Sequence, residues 1–417
     1  MVATIRAPRS VNVPRRPALR RRAAALALAL LAGATLPGSS LAASTTPVFA
    51  GQATLETAGG ATAFPVFTDA LSAKLTSTLA AIRAKNHLPG LQVAIRFPNG
   101  TVWDGHAGFA NVAGRRALTN FTLFDAGSIT KTFVAALTVQ LAGQGVLSLD
   151  DPLSKWIPDL PFDDGVTLRQ MLDHTSGIFD PFMHPALNNA IVGHPATVFT
   201  PARVISYVGA PLFTAGQGWS YSNANYILLG QVIEKATGQT LASLLRRRFL
   251  VPLHLANTFL QSEEPISGSP ATGYTYSNYA TWTLKNVSDG SRYVPYTSLA
   301  TAIGAAGSLV TTADDLARWA LYLYRNKVLP PALLSQMLDF GLTAPFHPRL
   351  PYGLGVQRRS LSGWGSWGHD GAVEGFHSSM RYFPGADGMS IVVLTNSDHV
   401  DPDILVKAFL DDVFPAA

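Results

Sequence analysis

The chain contains no cysteine. Disulfides, thiolate-bound metals and thiol nucleophiles are therefore excluded, and a chain of 417 residues must rest on its hydrophobic core. Charged side chains are scarce at 14%, whereas glycine (36) and proline (28) are plentiful. That balance suits a loop-rich enzyme better than a helical scaffold. The ten histidines lack His-Glu-x-x-His or comparable ligand spacing, so neither a metal nor another cofactor is expected. No Gly-x-Ser-x-Gly elbow occurs, which argues against an α/β-hydrolase. Internal repeats are also lacking.

Basic charge is concentrated at one end. Residues 1–22 carry seven arginines and no acid. An apolar run from Ala23 to about Leu36 follows, too short to span a bilayer. Small residues then run from Pro37 to Ala43. This pattern predicts a signal peptide over residues 1–43 and export to the periplasm or the medium, by the Sec or the twin-arginine route. Without those arginines the basic count falls from 31 to 24 against 26 acids, a formal net charge of −2. No clustered basic surface is left to suggest nucleic-acid binding. No membrane span is expected after signal removal.

Residues 44–64, rich in Ala, Thr and Gly, read as a flexible lead-in. A helix is predicted from about Asp69 to Asn86, with Leu71, Leu75, Leu79 and Ile82 on one face. Two strands follow, Gln92–Arg96 and Thr101–Gly108, turned by Pro98-Asn99-Gly100. The next helix starts near Ser128, and Gly143 and Gly145 end it. Strand signals return only at Ser378–Phe383 and Met389–Thr395, before a last helix over about Pro402–Val413. The predicted fold is α/β: one antiparallel sheet built from 65–145 and 300–417, flanked by helices, with 146–299 as an inserted, mainly helical region. A cleft at their junction is the natural place for a site.

Three short patterns carry chemistry. In Ser128-Ile129-Thr130-Lys131 the two functional side chains lie one helical turn apart on one face. A serine hydroxyl attacks only when a base takes its proton, and a buried lysine at a helix start can be such a base. Of the eight lysines, Lys131 alone has a serine three positions before it. Taken alone, the tetrapeptide equally describes a capping serine beside a surface lysine.

Tyr-x-Asn occurs at Tyr221, Tyr276 and Tyr324. Tyr324 falls in a helical stretch, and Tyr276 in a Ser/Thr/Tyr/Gly loop. Tyr221 follows the Gly216–Ser220 turn and leads into the apolar helix Tyr226 to about Ala236. A turn anchored on a buried helix is the rigid platform that a proton-relaying tyrosine needs, so Tyr221 is chosen, with Asn223 positioned to hold the lysine and a substrate amide.

His-x-Gly occurs at His106 and His369. Gly365, Gly368, Gly371 and Gly375 crowd the second, allowing close backbone approach to a ligand. By itself His369 reads as a structural histidine. Its place after the other two patterns selects it.

Together these patterns resemble the serine penicillin-recognising enzymes. The branch is the one that holds class C β-lactamases, streptomycete-type D-alanyl-D-alanine carboxypeptidases, D-aminopeptidases and family VIII esterases. Its motifs run Ser-x-x-Lys, Tyr-x-Asn, Lys/His-x-Gly, and here they are separated by 93 and 148 residues. The likeness covers roughly residues 70–415. It includes Phe124–Lys131, Leu147–Pro152, Leu172–Gly177, Tyr221–Gly238 and Gly307–Leu316, of which the His174 segment reads as a structural turn.

The resemblance implies a β-lactamase/transpeptidase-like fold and acyl-enzyme formation on Ser128, with Lys131, Tyr221 and His369 catalytic. It implies Asn223, Asp370, Gly371 and Ala372 at the substrate, with the N–H groups of Ser128 and Ala372 as the oxyanion hole. Two departures bear on specificity. The third motif carries Asp370, where carboxypeptidases commonly have a small hydroxyl residue. After Gly353-Leu354-Gly355-Val356 comes Gln357 in place of their arginine, with Arg358 and Arg359 following. An Asp370 carboxylate in the cleft would repel a substrate carboxylate, unless it turns away and pairs with Arg358 or Arg359, which would cancel its charge.

The expected substrate is a small molecule or peptide, a D-alanyl-D-alanine-like stem peptide of peptidoglycan foremost. A small ester or a D-amide is the second choice. A catalytically silent penicillin- or peptidoglycan-binding protein is the reading from outside enzymology.

Overall fold

The computed structural model describes residues 67–414 except 163–164, 344 and 348–349. The expected signal peptide and lead-in lie outside the described residues.

A seven-stranded antiparallel sheet forms the centre. Its order is Gln357–Leu361, Trp364–Val373, Phe376–Phe383, Met389–Thr395, Gly90–Arg96, Val102–Asn111 and Arg116–Ala117. The first long strand of the chain pairs with the last, Leu91 opposite Thr395 and Arg96 opposite Ser390. The chain therefore closes on itself through its two ends, as the terminal strand signals predict.

Both faces of the central strands are covered, so they read as nearly unbroken apolar runs. Side chains alternate between two cores. Val93, Ile95, Ile391 and Val393 join Leu75 and Leu79 of helix Asp69–Lys85 and Phe409 and Leu410 of helix Pro402–Val413. Ala94, Val392, Leu394 and Met380 face the other way, into the larger core that holds helix Thr130–Gly143. All seven residues of Met389–Thr395 are buried.

The stretch 146–299 is helical through Leu153–Trp156, Leu168–Leu172, Pro185–Gly193, Pro201–Ile205, Asn223–Thr237 and Leu241–Leu245. It also carries strands that the sequence reading did not place. Phe259–Leu260 and Ser269–Pro270 join Thr122–Asp125 and Leu309–Thr311 in a small four-stranded sheet. Tyr274–Asn278 pairs with Thr283–Asn286 in a separate hairpin. These strands have two to five residues, too few for an alternating pattern to stand out. The Tyr276 segment is therefore a strand and not a loop.

Beneath the sheet end that carries His369 lies a ladder of paired charges. The Arg381 guanidinium is fully buried and donates to both carboxylate oxygens of Asp403, at 2.9 and 3.0 Å. Asp403 opens the last helix and also accepts from Ser379 and pairs with Arg359. Removing one partner of a buried pair strands the other charge. Arg381→Met should therefore destabilise the fold by about 3–5 kcal/mol, read as a lowered urea midpoint with an unchanged slope.

Candidate active site

Ser128 lies in a single 3-10 turn, Gly127–Ile129, that runs directly into helix Thr130–Gly143. Asp125 accepts from the Gly127 N–H at 2.7 Å, and the Thr130 hydroxyl donates to the Gly127 carbonyl at 2.7 Å. Gly127 has φ +52°, and a Cβ there would lie 2.9 Å from the Ala372 nitrogen. The turn is thus held from both sides with backbone pressed against backbone.

Lys131 is completely buried, one turn into the helix. Its Nζ donates to Ser128 Oγ at 3.0 Å, Asn223 Oδ1 at 2.8 Å and the Ala306 carbonyl at 2.6 Å. Burial pulls the ammonium down to about 7, against the opposing pull of the Asp180 and Asp370 carboxylates. The Tyr221 hydroxyl donates to the same Ser128 oxygen at 2.8 Å. Burial raises this phenol well above its ordinary range, so it is a proton carrier and not an anion.

The other two Tyr-x-Asn tyrosines are elsewhere. Tyr276 donates to the His87 carbonyl, and Tyr324 is buried in helix Ala313–Tyr324. Of the two His-x-Gly patterns, His106 pairs with Asn120 on the Val102–Asn111 strand, whereas His369 lies 6.3 Å from the Tyr221 ring.

Tyr221 and Asn223 are set by a segment the sequence reading treated as a turn. His174 has φ +66° and is buried against the Tyr221 ring at 4.3 Å. Its Nδ1 accepts from the Ser222 N–H at 3.2 Å and meets the Asn225 amide at 3.1 Å. The Ser220 N–H donates to the His174 carbonyl, and Trp219 Nε1 to that of Asp173. Six residues on, buried Asp180 accepts from Asn223 Nδ2 at 2.9 Å. Burial pushes its carboxyl up to about 6.

His369 is within strand Trp364–Val373, not ahead of the C-terminal strands. Its Nε2 accepts from the Tyr352 hydroxyl at 2.8 Å, and its Nδ1 faces the Asp370 carbonyl, which assigns the proton to Nδ1. Burial pulls the imidazole down to about 3, so it is neutral at physiological pH. Both ring nitrogens are engaged away from Ser128. The ring therefore lines the tyrosine's surroundings and makes no contact with the serine.

Gly371 and Ala372 bring the strand onto the serine turn. A Cβ on Gly371 would lie 2.0 Å from the Ala126 carbonyl oxygen, which only a glycine avoids. Ser378 Oγ, on the neighbouring strand, ties that same carbonyl at 2.8 Å. The main chains of Ser128 and Ala372 are thus neighbours, as an oxyanion hole requires.

Of the two courses open to Asp370, the structure shows the pairing with an arginine. Arg359 Nη2 is 3.2 Å from its Oδ2, and Arg359 Nε is 3.2 Å from Asp403. Burial would raise this carboxyl, but Arg359 and Arg381 outweigh it and hold it at about 2. The charge is present and cancelled. Gln357, which replaces the expected arginine, accepts from the Asp370 N–H at 3.3 Å and from Arg381 at 3.0 Å.

Asp180 and Tyr352 were not singled out from the sequence, and His174 was read only as part of a structural turn. No spacing rule reaches them, since their partners lie 43, 48 and 17 positions away. Among the described residues no group of acids and histidines could hold a metal, and no helix is long and apolar enough to cross a membrane.

The Beta-lactamase family model matches residues 75–412. Penicillin-binding protein 4* of Bacillus subtilis (strain 168) is 29% identical over 54% of this chain and 50% of its own length. Penicillin-binding protein 4 of Amycolatopsis lactamdurans is 26% identical over 80% of this chain and 86% of its own. The chain thus spans half of the first relative and most of the second. The solved structure of a D-stereospecific amidohydrolase from Streptomyces sp. superposes with a TM-score of 0.69. It is 27% identical, covering 84% of this chain and 99% of that one.

The contact between Tyr221 and Ser128 separates the three tyrosines. Tyr221→Phe should lower the rate of Ser128 acylation by roughly 10²-fold or more. Tyr276→Phe and Tyr324→Phe should leave it within a few-fold. Stopped-flow acylation with a chromogenic ester reads all three.

Proposed function

The chain belongs to the Beta-lactamase family, and we propose that it is an exported serine hydrolase that acts through an acyl-enzyme on Ser128. The observation that carries this reading is the Ser128 oxygen held between Lys131 Nζ at 3.0 Å and the Tyr221 hydroxyl at 2.8 Å.

With three acceptors around it, a Lys131 ammonium spends one N–H on each. When it loses a proton, the freed lone pair can face Ser128 and take the hydroxyl hydrogen as Oγ attacks the substrate carbonyl. The N–H groups of Ser128 and Ala372 receive the developing oxyanion. Such donors contribute about 3–4 kcal/mol each when prearranged. Tyr221 hands its proton to the leaving nitrogen or oxygen and regains one through Lys131. Water then attacks the acyl-enzyme by the same groups in reverse.

The cancelled charge at Asp370 bears on the substrate. Arg359 is committed to two carboxylates, and Gln357 stands where carboxypeptidases present a cation. Neither Arg359 nor Gln357 offers a substrate carboxylate a free positive partner. This supports neutral amides or esters, with a D-amino acid amide first, over peptides that end in a free carboxylate. The similar Streptomyces protein is a D-stereospecific amidohydrolase, which points the same way. The basic, then apolar, then small-residue N-terminus supports export.

A fluorophosphonate or β-lactam should add one adduct to the intact chain, lost in Ser128→Ala. An adduct that survives in that variant overturns the assignment. Wild type should hydrolyse the methyl ester of a D-Ala-D-Ala peptide with higher kcat/KM than the free acid. Asp370→Thr frees one edge of Arg359 and should raise the free-acid value about tenfold, the size of about 1.4 kcal/mol of new attraction. A wild type that prefers the free acid returns the chain to the carboxypeptidase reading.

A further inference from the structure

Asp180 is a buried carboxylate that, among the described residues, forms no ion pair with an arginine. Its Oδ1 accepts from the Phe182 N–H at 3.1 Å and its Oδ2 from Asn223 Nδ2 at 2.9 Å. Among the described residues, Lys131 is the cation whose charge acts on it. The two are joined by one side-chain amide. Asn223 gives its N–H to Asp180 and its carbonyl oxygen to Lys131. An asparagine amide can be rotated end for end at little intrinsic cost, so a partner must choose which end faces the lysine. A carboxylate accepts only, and therefore fixes Nδ2 toward itself and Oδ1 toward Lys131.

We infer that Asp180 is a positioning residue of the Ser128–Lys131 centre. Its carboxylate locks Asn223 with the carbonyl toward the lysine and, across that one amide, sets how readily Lys131 gives up its proton. This rests on the reading of Lys131 as the base for Ser128.

The surroundings single Asp180 out. The groups facing Lys131 are Asp180, Asp370, His174, His369 and the rings of Tyr221 and Tyr226, the last two at 4.8 and 5.4 Å. Both imidazoles are held neutral by burial, and both phenols are held protonated. Asp370 is already paired with Arg359. Among the described residues, Asp180 is left as the anion whose field on the lysine no guanidinium offsets. That field favours the ammonium, so it raises the pH at which the base becomes available. Lys131 is drawn down to about 7 by burial despite it. The sign follows: activity rises as pH rises through the lysine's midpoint, and removing the anion moves this rise to lower pH.

The test uses two substitutions and two readouts. Asp180→Asn keeps an acceptor for Asn223 and loses the charge; Asp180→Ala loses both. The first readout is the pH dependence of Ser128 acylation by a fluorophosphonate. The second is the 13C NMR titration of the lysine ε-carbon signal that disappears in Lys131→Ala. It reports the lysine whether or not the enzyme turns over. In both variants the lysine midpoint should fall by about one pH unit. In Asp180→Asn the acid limb of acylation should move to lower pH with it, and the high-pH plateau should drop less than in Asp180→Ala, because one acceptor oxygen remains for Asn223. In Asp180→Ala that plateau should drop about tenfold or more, because Asn223 is released. An unchanged NMR midpoint in both variants overturns the inference, even if they are less stable to urea. A midpoint that moves without any matching shift in acylation leaves the Asp180–Lys131 coupling standing and overturns the reading of Lys131 as the base.

Discussion

A lysine amine sealed from water must find its partners inside the protein, and the site is organised around meeting that demand for Lys131. Its three acceptors come from three separate stretches of chain: Ser128 one turn before it, Asn223 from the inserted region and Ala306 from the segment leading back to the sheet. Moving any one stretch would leave a buried donor unpaired, at a cost of about 1–3 kcal/mol. The requirement that keeps this amine desolvated also holds helix Asn223–Thr237 against helix Thr130–Gly143. Stability and reactivity therefore share one set of bonds.

Close backbone approach is the second constraint. Gly127 and Gly371 let the serine turn and the strand Trp364–Val373 touch main chain to main chain. Side chains would otherwise separate them by several ångströms. Ser378 ties the contact from the neighbouring strand, and the sheet below it is braced by Arg381, Asp403 and Arg359. The charge ladder that cancels Asp370 is thus continuous with the support of the site. Electrostatic neutrality at the substrate's end follows from how the last helix is attached.

The positions of Tyr221 and Asn223 depend on residues 173–180. Hydrogen bonds from His174 and Asp173 hold the turn around Trp219–Ser222, and Asp180 holds the asparagine. These bonds hold the turn, and the tyrosine ring lies tilted against a neutral imidazole at 4.3 Å. The Lys131 nitrogen lies 4.8 Å from that ring, which adds an attraction for the charged form.

Much of this was legible in the residues alone. The Ser128–Lys131 spacing needs only the pitch of a helix. Tyr221 was separable from Tyr276 and Tyr324 because a glycine turn ahead of an apolar helix makes a platform, whatever the tertiary fold. The last strand showed itself through the apolar run Ile391–Leu394, since both of its faces are buried, and helix Pro402–Val413 was read where it lies. Short strands such as Phe259–Leu260 were invisible because two residues have no period. Asp180 and Tyr352 required the folded chain, as did the choice between a free Asp370 and one paired with Arg359. Whether a carboxylate repels, orients or is silenced is set by which charges stand within a few ångströms. In this chain those neighbours come from distant strands, an inserted segment and the final helix. Local sequence determined which side chains could do chemistry. Only their packing decided which of them carry charge, and toward what.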